Sequence, residues 1–116
     1  MQNKRSIGTD REAMAAEYLE KKGYTILEKN YRCRVGEIDI VASKDNFCVF
    51  VEVKYRKSAA YGLPQEAVGV KKQRTIAFVA NYYLMEKKFP SNQPVRFDVI
   101  AILGNEITHI ENAFGM

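Results

Sequence analysis

The sequence predicts an α/β domain in which helices flank a mixed β-sheet of about five strands. Its 116 residues suit a single domain, residues 1–116, because one hydrophobic core is commonly built from ~100–150 residues. The hydrophobic fraction of 47% and the charged fraction of 28% are globular values. The hydrophobic period changes along the chain in the order helix, three strands, helix, two strands, which is typical of a sheet covered by helices.

The first predicted helix covers about residues 10–22, within the stretch TDREAMAAEYLEKKGY. Thr9 is a candidate N-cap, and Glu12 follows it at the spacing of a capping box. Gly23 is the expected end of the helix because glycine tolerates the left-handed backbone that terminates many helices. Glu12 has a second interpretation, since it shares a helix face with the apolar residues that follow it and can point toward the sheet.

Three strands are predicted next. The stretch YTILEKNY predicts the first, and GEIDIVAS predicts the second by its alternation. The alternation divides this second strand between two faces, with Glu37, Asp39 and Val41 on one and Ile38, Ile40 and Ala42 on the other. After a KDN turn, FCVFVEVKYR predicts the third strand, with Glu52 and Lys54 on the face opposite its valines.

A second helix and a terminal hairpin complete the predicted fold. The stretch KSAAYGLPQEAVG is a predicted loop punctuated by Gly62 and Pro64. The following VKKQRTIAFVANYYLMEKK has the spacing of an amphipathic helix. Its predicted apolar side consists of Gln73, Ile76, Ala77, Ala80, Tyr83 and Leu84. VRFDVIAIL and EITHIENAF are β-rich and separated by GN, so they predict a hairpin.

The charge balance and the absence of targeting signals limit the classes of function. The chain has 18 Lys and Arg against 14 Asp and Glu, a net charge of +4, which suits a polyanionic partner without requiring one. No apolar run approaches the ~20 residues of a membrane span, and the start MQNKRSIGTDRE lacks the apolar core of a signal peptide. We therefore expect a cytoplasmic protein with no membrane association.

The two cysteines agree with a reducing compartment. Cys33 and Cys48 form no CxxC motif and have no histidine cluster, which argues against a structural zinc site. Two free thiols are the favoured interpretation, and a single disulfide is the alternative.

Carboxylates within apolar strands are the main chemical signal. Asp39 and Glu52 lie among Ile, Val and Phe, and a carboxylate in such a place needs a cation, hydrogen-bond donors or water. A divalent ion such as Mg²⁺ accepts one or two carboxylates, and Lys54 could then stabilise phosphate charge or activate the attacking water. The alternative is a cross-strand salt bridge from Lys54 to either acid on a solvated sheet face.

The string GEIDIVASKDNFCVFVEVKYR resembles the D-x(n)-E-x-K core of the PD-(D/E)-x-K nucleases. Together with Glu12, GLPQEAV, Lys72, ANYYL and RFDVIAI, it resembles the YraN family of endonuclease-like proteins, which are similar in fold to archaeal Holliday-junction resolvases. The resemblance covers roughly residues 8–103. It implies a restriction-endonuclease-like fold, a Mg²⁺ or Mn²⁺ cofactor, DNA as the favoured nucleic-acid substrate, and a homodimer.

The resemblance also assigns roles to individual residues. Asp39 and Glu52 match the metal-binding acids, Lys54 matches the catalytic lysine, and Glu12 matches the first-helix acid that completes the metal site in resolvase-like members. Asp39, Glu52 and Lys54 thus form the expected catalytic set. The family usually has glycine where Arg11 stands, so this sequence departs from the pattern next to Glu12.

Supporting residues have both functional and structural interpretations. Glu37 matches the family's GEID and is a candidate outer ligand, or else a partner for Arg32 or Arg34. Gln73 is a candidate polar residue near the lysine, or else forms a buried hydrogen bond unrelated to catalysis.

Two further features of the sequence have weaker interpretations. Asp98 matches RFDVIAI, or else pairs with Arg96, and His109 has no assigned role. Tyrosines near the strand ends can stack on unpaired bases or simply pack, and these are Tyr31, Tyr55 and Tyr61.

Basic residues bracket the proposed site in sequence and are the candidate nucleic-acid contacts: Arg32, Arg34, Arg56, Lys57, Lys71, Lys72 and Arg74. The expected activity is metal-dependent hydrolysis of phosphodiester bonds in structured or branched DNA. The alternatives are a non-catalytic nucleic-acid-binding or adaptor module with the same fold, and a scaffold whose salt bridge is incidental.

Overall fold

The structure is a computed structural model that describes the backbone of residues 4–58 and 68–115 and the side chains of residues 11–58 and 68–115. Its elements are α1 (Lys4–Lys21), β1 (Thr25–Cys33), β2 (Gly36–Lys44), β3 (Phe47–Arg56), α2 (Val70–Glu86), β4 (Val95–Leu103) and β5 (Glu106–Phe114). Tyr61, Gly62 and Pro64, with most of GLPQEAV, lie outside the described residues. In the described part of the chain, neither helix is long and apolar enough to span a membrane.

The five strands form one mixed sheet in the order β1-β2-β3-β4-β5. The β3–β4 pair is parallel and the other three pairs are antiparallel, because α2 carries the chain from the end of β3 to the start of β4. One helix packs on each face of the sheet. The predicted fold class and element order are therefore confirmed.

Each face of the sheet has its own apolar layer, and the helix above that face completes it. The α1 layer contains Ala15, Ala16 and Leu19 of the helix with Ile40, Ala42, Val49, Val51, Ile100 and Ile102 of the sheet. The α2 layer contains Ile76, Val79, Ala80 and Tyr83 of the helix with Ile38, Val41, Phe50 and Phe97 of the sheet. The predicted division of β3 is correct, because its valines lie in the α1 layer and Phe50 lies in the α2 layer.

The first helix begins earlier than predicted. It starts at Lys4, so Thr9 lies inside α1, and the predicted capping box of Thr9 and Glu12 is wrong. A Thr-x-x-Glu spacing caps a helix only at its boundary, where backbone N–H groups lack partners. The predicted end is correct: Gly23 has φ 93°, and the N–H of Tyr24 donates to the Leu19 carbonyl at 3.0 Å.

The alternation predicted for β2 is interrupted at Asp39. Ile38 packs in the α2 layer, whereas Ile40, only two residues away, packs in the α1 layer. Asp39 and Asn30 occupy the position between the paired residues on either side, and Asn30 has φ 54°, in the left-handed region. This local bend in β1 turns the paired backbone, which explains why a period of two residues does not hold across Asp39.

Strands β2 and β3 separate next to Asp39. Their pairing runs from Lys44–Phe47 to Ile40–Val51, although both strands continue beyond it. Past that point β2 stays paired with β1, and β3 stays paired with β4 as far as Arg56. We call this opening the fork, and the end of the sheet that contains it, with the β1–β2 turn and the end of β3, the fork end.

The first half of α2 lies over the fork end. A Cβ atom built on Gly36, at the start of β2, would lie 2.7 Å from Cγ2 of Thr75 and 3.5 Å from Cγ2 of Val79. The absence of a side chain at Gly36 therefore lets α2 approach β2 closely. This contact places the residues that begin α2 beside the β1–β2 turn.

Both cysteines are free thiols in the described structure, as favoured from the sequence. Cys48 is buried in the α2 layer, and burial raises the pKa of its thiol to about 11. Cys33 is half-buried against the same layer. Cys48 therefore remains protonated at neutral pH and serves as a small apolar side chain.

A buried carboxylate joins β4 and β5 to the rest of the fold. Asp98 is fully buried and accepts hydrogen bonds from Arg96 at 2.8 and 2.9 Å and from the Asn112 N–H at 3.0 Å, and it also pairs with Nε2 of His109 at 2.7 Å. The guanidinium of Arg96 also donates to the Tyr24 hydroxyl. Burial acts to raise the pKa of Asp98, but these bonds hold it below its usual range. The predicted Arg96 partner is correct, and His109 has a structural partner.

Replacing Asp98 with asparagine should destabilise the fold strongly. The near-isosteric amide removes the anion that balances Arg96 and presents an NH₂ group where the neighbours require an acceptor. We expect the free energy of unfolding, measured in urea at neutral pH, to fall by roughly 3–5 kcal/mol. Because the folded-state pKa of Asp98 is lowered, its contribution is complete above about pH 4 and is lost as the pH falls below that value. Asp45→Asn, an exposed turn variant, is the control, and equal stabilities of the two variants would contradict this role.

Candidate functional site

Asp39 lies at the fork and bonds across it. Its Oδ2 accepts the backbone N–H of Val53 at 2.7 Å. Since the β2–β3 ladder ends at Ile40 and Val51, this carboxylate supplies an acceptor that regular strand pairing no longer provides. The bond holds a carboxylate from β2 against the backbone of β3, between Glu52 and Lys54 in sequence.

The surroundings of Asp39 disfavour the ionised form of its carboxyl group. Burial and then the negative charge of Glu52 raise its pKa to about 7, against the opposing effect of the Val53 hydrogen bond. Glu12 and Glu37 add smaller repulsive contributions. The negative charges of acids on α1, β2 and β3 therefore all act on the Asp39 carboxyl group, and their repulsion disfavours its ionisation.

Glu52 and Lys54 lie beside Asp39 on β3. The Lys54 Nζ is 3.7 Å from Oε1 of Glu52, and the two side chains are 23% and 9% exposed. The pair is within one strand, so it differs from the cross-strand salt bridge considered as the alternative. Lys54 thus pairs with Glu52, but Glu52 still acts to raise the pKa of Asp39, so the local negative charge is only partly compensated.

Glu12 approaches the fork from the face of the sheet that α1 covers. It lies on α1, and its Oε2 accepts a hydrogen bond from Nδ2 of Asn30 on β1 at 2.8 Å. Asn30, whose bend in β1 interrupts the face alternation of β2, thus also anchors Glu12. Within the residues that the structure describes, no three His, Cys, Asp or Glu side chains form a group that could hold a metal ion. The charges of Glu52 and, more weakly, Glu12 act on Asp39, and Glu12 has a protein partner in Asn30.

The supporting candidates have structural partners. Glu37 accepts a hydrogen bond from Nε of Arg32 at 2.8 Å, which matches the alternative of an exposed ion pair. Gln73 donates its side-chain amide to the Val68 carbonyl at 3.1 Å, just before α2 begins. These contacts give Glu37 and Gln73 local roles at the fork end, and Glu37 acts on Asp39 only through its charge.

The candidate nucleic-acid contacts gather at the fork end. Arg32 and Arg34 lie at the β1–β2 turn, where they line a groove of about 460 Å³. Others follow the site along the chain: Arg56 and Lys57 at the end of β3, and Lys71, Lys72 and Arg74 at the start of α2. Arg56 is half-buried and donates to the Tyr55 carbonyl, whereas Lys57 and the three residues on α2 are exposed.

Arg11 is a residue whose position the sequence did not reveal. Its guanidinium carbon lies 3.9 Å from the ring centroid of Tyr55, and its Nε is buried without an acceptor in the described structure. The stack places a second cation beside Glu12 and the β3 strand that carries Lys54. The only available signal was the departure from the family's glycine at this position. Tyr55 and Tyr31 both pack within the fold, as the packing interpretation expected.

Asp39→Asn should raise the melting temperature at alkaline pH and change it little at acid pH. The folded-state pKa of about 7 lies above the ordinary value near 4, so ionising Asp39 costs folding free energy as the pH rises through this interval. The neutral amide avoids this cost and still accepts the Val53 N–H. We expect the gain in melting temperature to grow between about pH 4 and pH 8, to on the order of 5 °C.

Calorimetry of the native protein and of Asp39→Asn, in EDTA and between about pH 4 and pH 8, measures this effect. A gain from Asp39→Asn that is constant or shrinks as the pH rises would contradict the raised pKa.

Comparison with known proteins assigns the chain to a family. The model of the uncharacterised protein family UPF0102 matches residues 11–102. A UPF0102 protein of Lachnoclostridium phytofermentans is 51% identical over 112 residues, which cover 97% of this chain and 95% of that relative. A second, from Caldanaerobacter subterraneus subsp. tengcongensis, is 47% identical over 119 residues and covers 97% of both chains. The matched span includes the whole fork, and the chain belongs to the uncharacterised protein family UPF0102.

Proposed function

We propose that the protein is a metal-dependent nuclease that hydrolyses phosphodiester bonds in structured or branched DNA. The observation that carries this proposal is the electrostatic repulsion between Asp39 and Glu52 at the fork, with Lys54 paired to Glu52. Two incompletely compensated carboxylates next to a lysine form a site for a hard cation and a phosphate group. The resemblance to PD-(D/E)-x-K nucleases, from which these residues were first assigned, points the same way.

The residues present fit a Mg²⁺ or Mn²⁺ ion. Both ions prefer oxygen ligands, and Mg²⁺ commonly takes one or two carboxylates and keeps several waters, so Asp39 and Glu52 suffice without a third acid. The Val53 N–H occupies Oδ2 of Asp39, and no donor in the described structure is bonded to Oδ1. When bound, such an ion would withdraw charge from the phosphate and lower the pKa of the attacking water.

The protein's own residues would then divide the remaining work. Lys54 is placed to balance charge on the phosphate or to orient the water, once an ion takes over its interaction with Glu52. Glu12, held by Asn30, would act from outside as an acid that strengthens the field on the ion. The basic residues at the fork end would contact phosphates and hold the nucleic acid in position without reading its sequence.

One observation favours the non-catalytic alternative. In the described structure Glu12 bonds to Asn30 and does not complete a three-ligand cluster with Asp39 and Glu52. A nucleic-acid-binding or adaptor module would retain the basic fork end and need no turnover. Metal-dependent cleavage separates the two functions, whereas nucleic-acid binding alone does not.

Asp39→Asn should abolish metal-supported cleavage while leaving nucleic-acid binding intact. The amide preserves packing but removes the formal charge that holds a hard cation. Cleavage is measured with Mn²⁺ on branched, nicked and single-stranded DNA, and binding is measured without metal, where losing a negative charge leaves affinity level or tighter. Asp45→Asn should cleave like the native protein. Equal cleavage rates for native protein and Asp39→Asn, in preparations free of contaminating nuclease, would refute the catalytic role.

DNA binding should weaken steeply as salt rises. Contacts from Lys and Arg to phosphate release counterions, so the logarithm of the binding constant falls in proportion to the logarithm of the salt concentration. Lys72→Gln, at the start of α2, should reduce that slope by about 1. Lys22→Gln, at the opposite end of the sheet beside Lys44, should leave the slope unchanged. A salt-insensitive affinity would mean that phosphate contacts do not dominate binding.

A further inference from the structure

We propose that the exposed side of α2 binds an unpaired nucleic-acid strand as it leaves the fork end. The inference rests on the proposed function and adds a substrate class to it, namely DNA with a single-stranded tail or branch beside the cleavage point. It is carried by four side chains, Lys71, Arg74, Phe78 and Tyr82, which we call the α2 row.

The α2 row runs along one side of the helix. Its members are separated by three, four and four residues, the spacing that places side chains above one another. From Lys71 to Tyr82 the row extends ~16 Å along the helix axis. The buried side of α2 is a different one, which holds Ile76, Val79, Ala80 and Tyr83. The α2 row is therefore surface that the described fold does not use.

The two aromatic rings of the α2 row are open to solvent. Phe78 is 58% exposed and Tyr82 is 47% exposed, and they lie one helical turn apart. Covering such rings is favourable, and flat aromatic faces stack well on unpaired bases. Each ring thus offers a platform for one base.

The other end of the α2 row is strongly basic. Lys71, Lys72 and Arg74 occupy the first turns of α2, and no Asp or Glu occurs in the helix before Glu86. Cations near a helix N-terminus are repelled by the positive end of the helix dipole, so their grouping here is unfavourable until an anion covers them. A phosphate backbone supplies such an anion.

The α2 row is continuous with the candidate site. The close contact of Thr75 with Gly36 places the basic end of the row next to the β1–β2 turn. That turn forms the groove lined by Arg32 and Arg34, and β2 runs from it directly to Asp39. An unpaired DNA strand that leaves the fork can therefore contact basic residues continuously from the groove to the α2 row.

An unpaired strand fits both halves of the α2 row. The cations match its phosphates, and the rings match its free base faces, which a duplex keeps stacked inside. A second copy of this chain would match the rings but would bring another net charge of +4 toward the same basic surface. The charge of the row thus favours nucleic acid over a second copy as its occupant.

The test compares the full-length native protein with the double variant Phe78→Ala/Tyr82→Ala. Binding is measured by fluorescence anisotropy without metal, on a blunt DNA duplex and on the same duplex with a tail of about ten thymidines. We expect the native protein to bind the tailed duplex at least about tenfold more tightly than the blunt one. The double variant should lose most of this preference and bind the blunt duplex as the native protein does. Both substitutions are at exposed positions, and circular dichroism verifies that the fold is retained.

Met85→Ala is the matched control. Met85 is 77% exposed one turn beyond Tyr82, and it has no ring, so its removal should leave the tail preference unchanged. Equal binding of tailed and blunt duplexes, or an undiminished preference in the double variant, would overturn the inference. So would a sedimentation result in which the double variant and Met85→Ala both dissociate a dimer without affecting DNA binding, because the α2 row would then be a protein interface.

The two proposals fail separately. Cleavage by a protein that shows no tail preference would leave the nuclease function standing and remove only the role of the α2 row. A tail preference that depends on the two rings, without metal-supported cleavage, would remove the nuclease function and leave the role of the α2 row standing. The protein would then be a binding module for tailed DNA.

Discussion

The hydrogen bond from the Val53 N–H to Asp39 is the interaction on which the arrangement of the site depends. Two neighbouring strands of a sheet cannot separate without leaving backbone groups that need new partners. Here the partner is the carboxyl group of Asp39, so an ionisable acid lies at the point where the fork opens. The separation of β2 and β3 also exposes Asp39 to the charges of Glu52 on one strand and Glu12 on the helix above.

Asp98, which is fully buried, and Asp39, which is partly buried, have opposite electrostatic outcomes. Asp98 is surrounded by donors, and the hydrogen bonds from His109 and Arg96 hold its pKa low despite complete burial. Asp39 has one backbone donor, and burial and then its acidic neighbour Glu52 raise its pKa. A carboxylate whose oxygens accept bonds from several donors stabilises the structure, whereas one that is short of positive charge is a site for a ligand that supplies it. The contrast within one sheet separates the structural acid from the candidate functional one.

The candidate nucleic-acid contacts are concentrated at the fork end of the sheet. Residues from the β1–β2 turn, the end of β3 and the start of α2 meet there because β3 and α2 are consecutive and α2 approaches β2 at Gly36. The close approach of α2 at Gly36 thus places the basic start of the helix at the same end of the sheet as the fork. Because the net charge of +4 is modest, the position of the cations matters more for polyanion binding than their number.

The sequence by itself determined the features that depend on near neighbours in the chain. The order of elements, the KDN turn with Asp45 and Asn46 at positive φ, and the placement of Glu52 and Lys54 on one face of β3 all follow from local periodicity and backbone preference. Tertiary structure alone decided the features that depend on distant residues. Asn30 bends β1 and so reverses the face of Ile38, and Arg11 stacks on Tyr55. Asp39 accepts the Val53 N–H of β3 only because β2 and β3 separate there. No local sequence pattern indicates where the pairing of two strands ends.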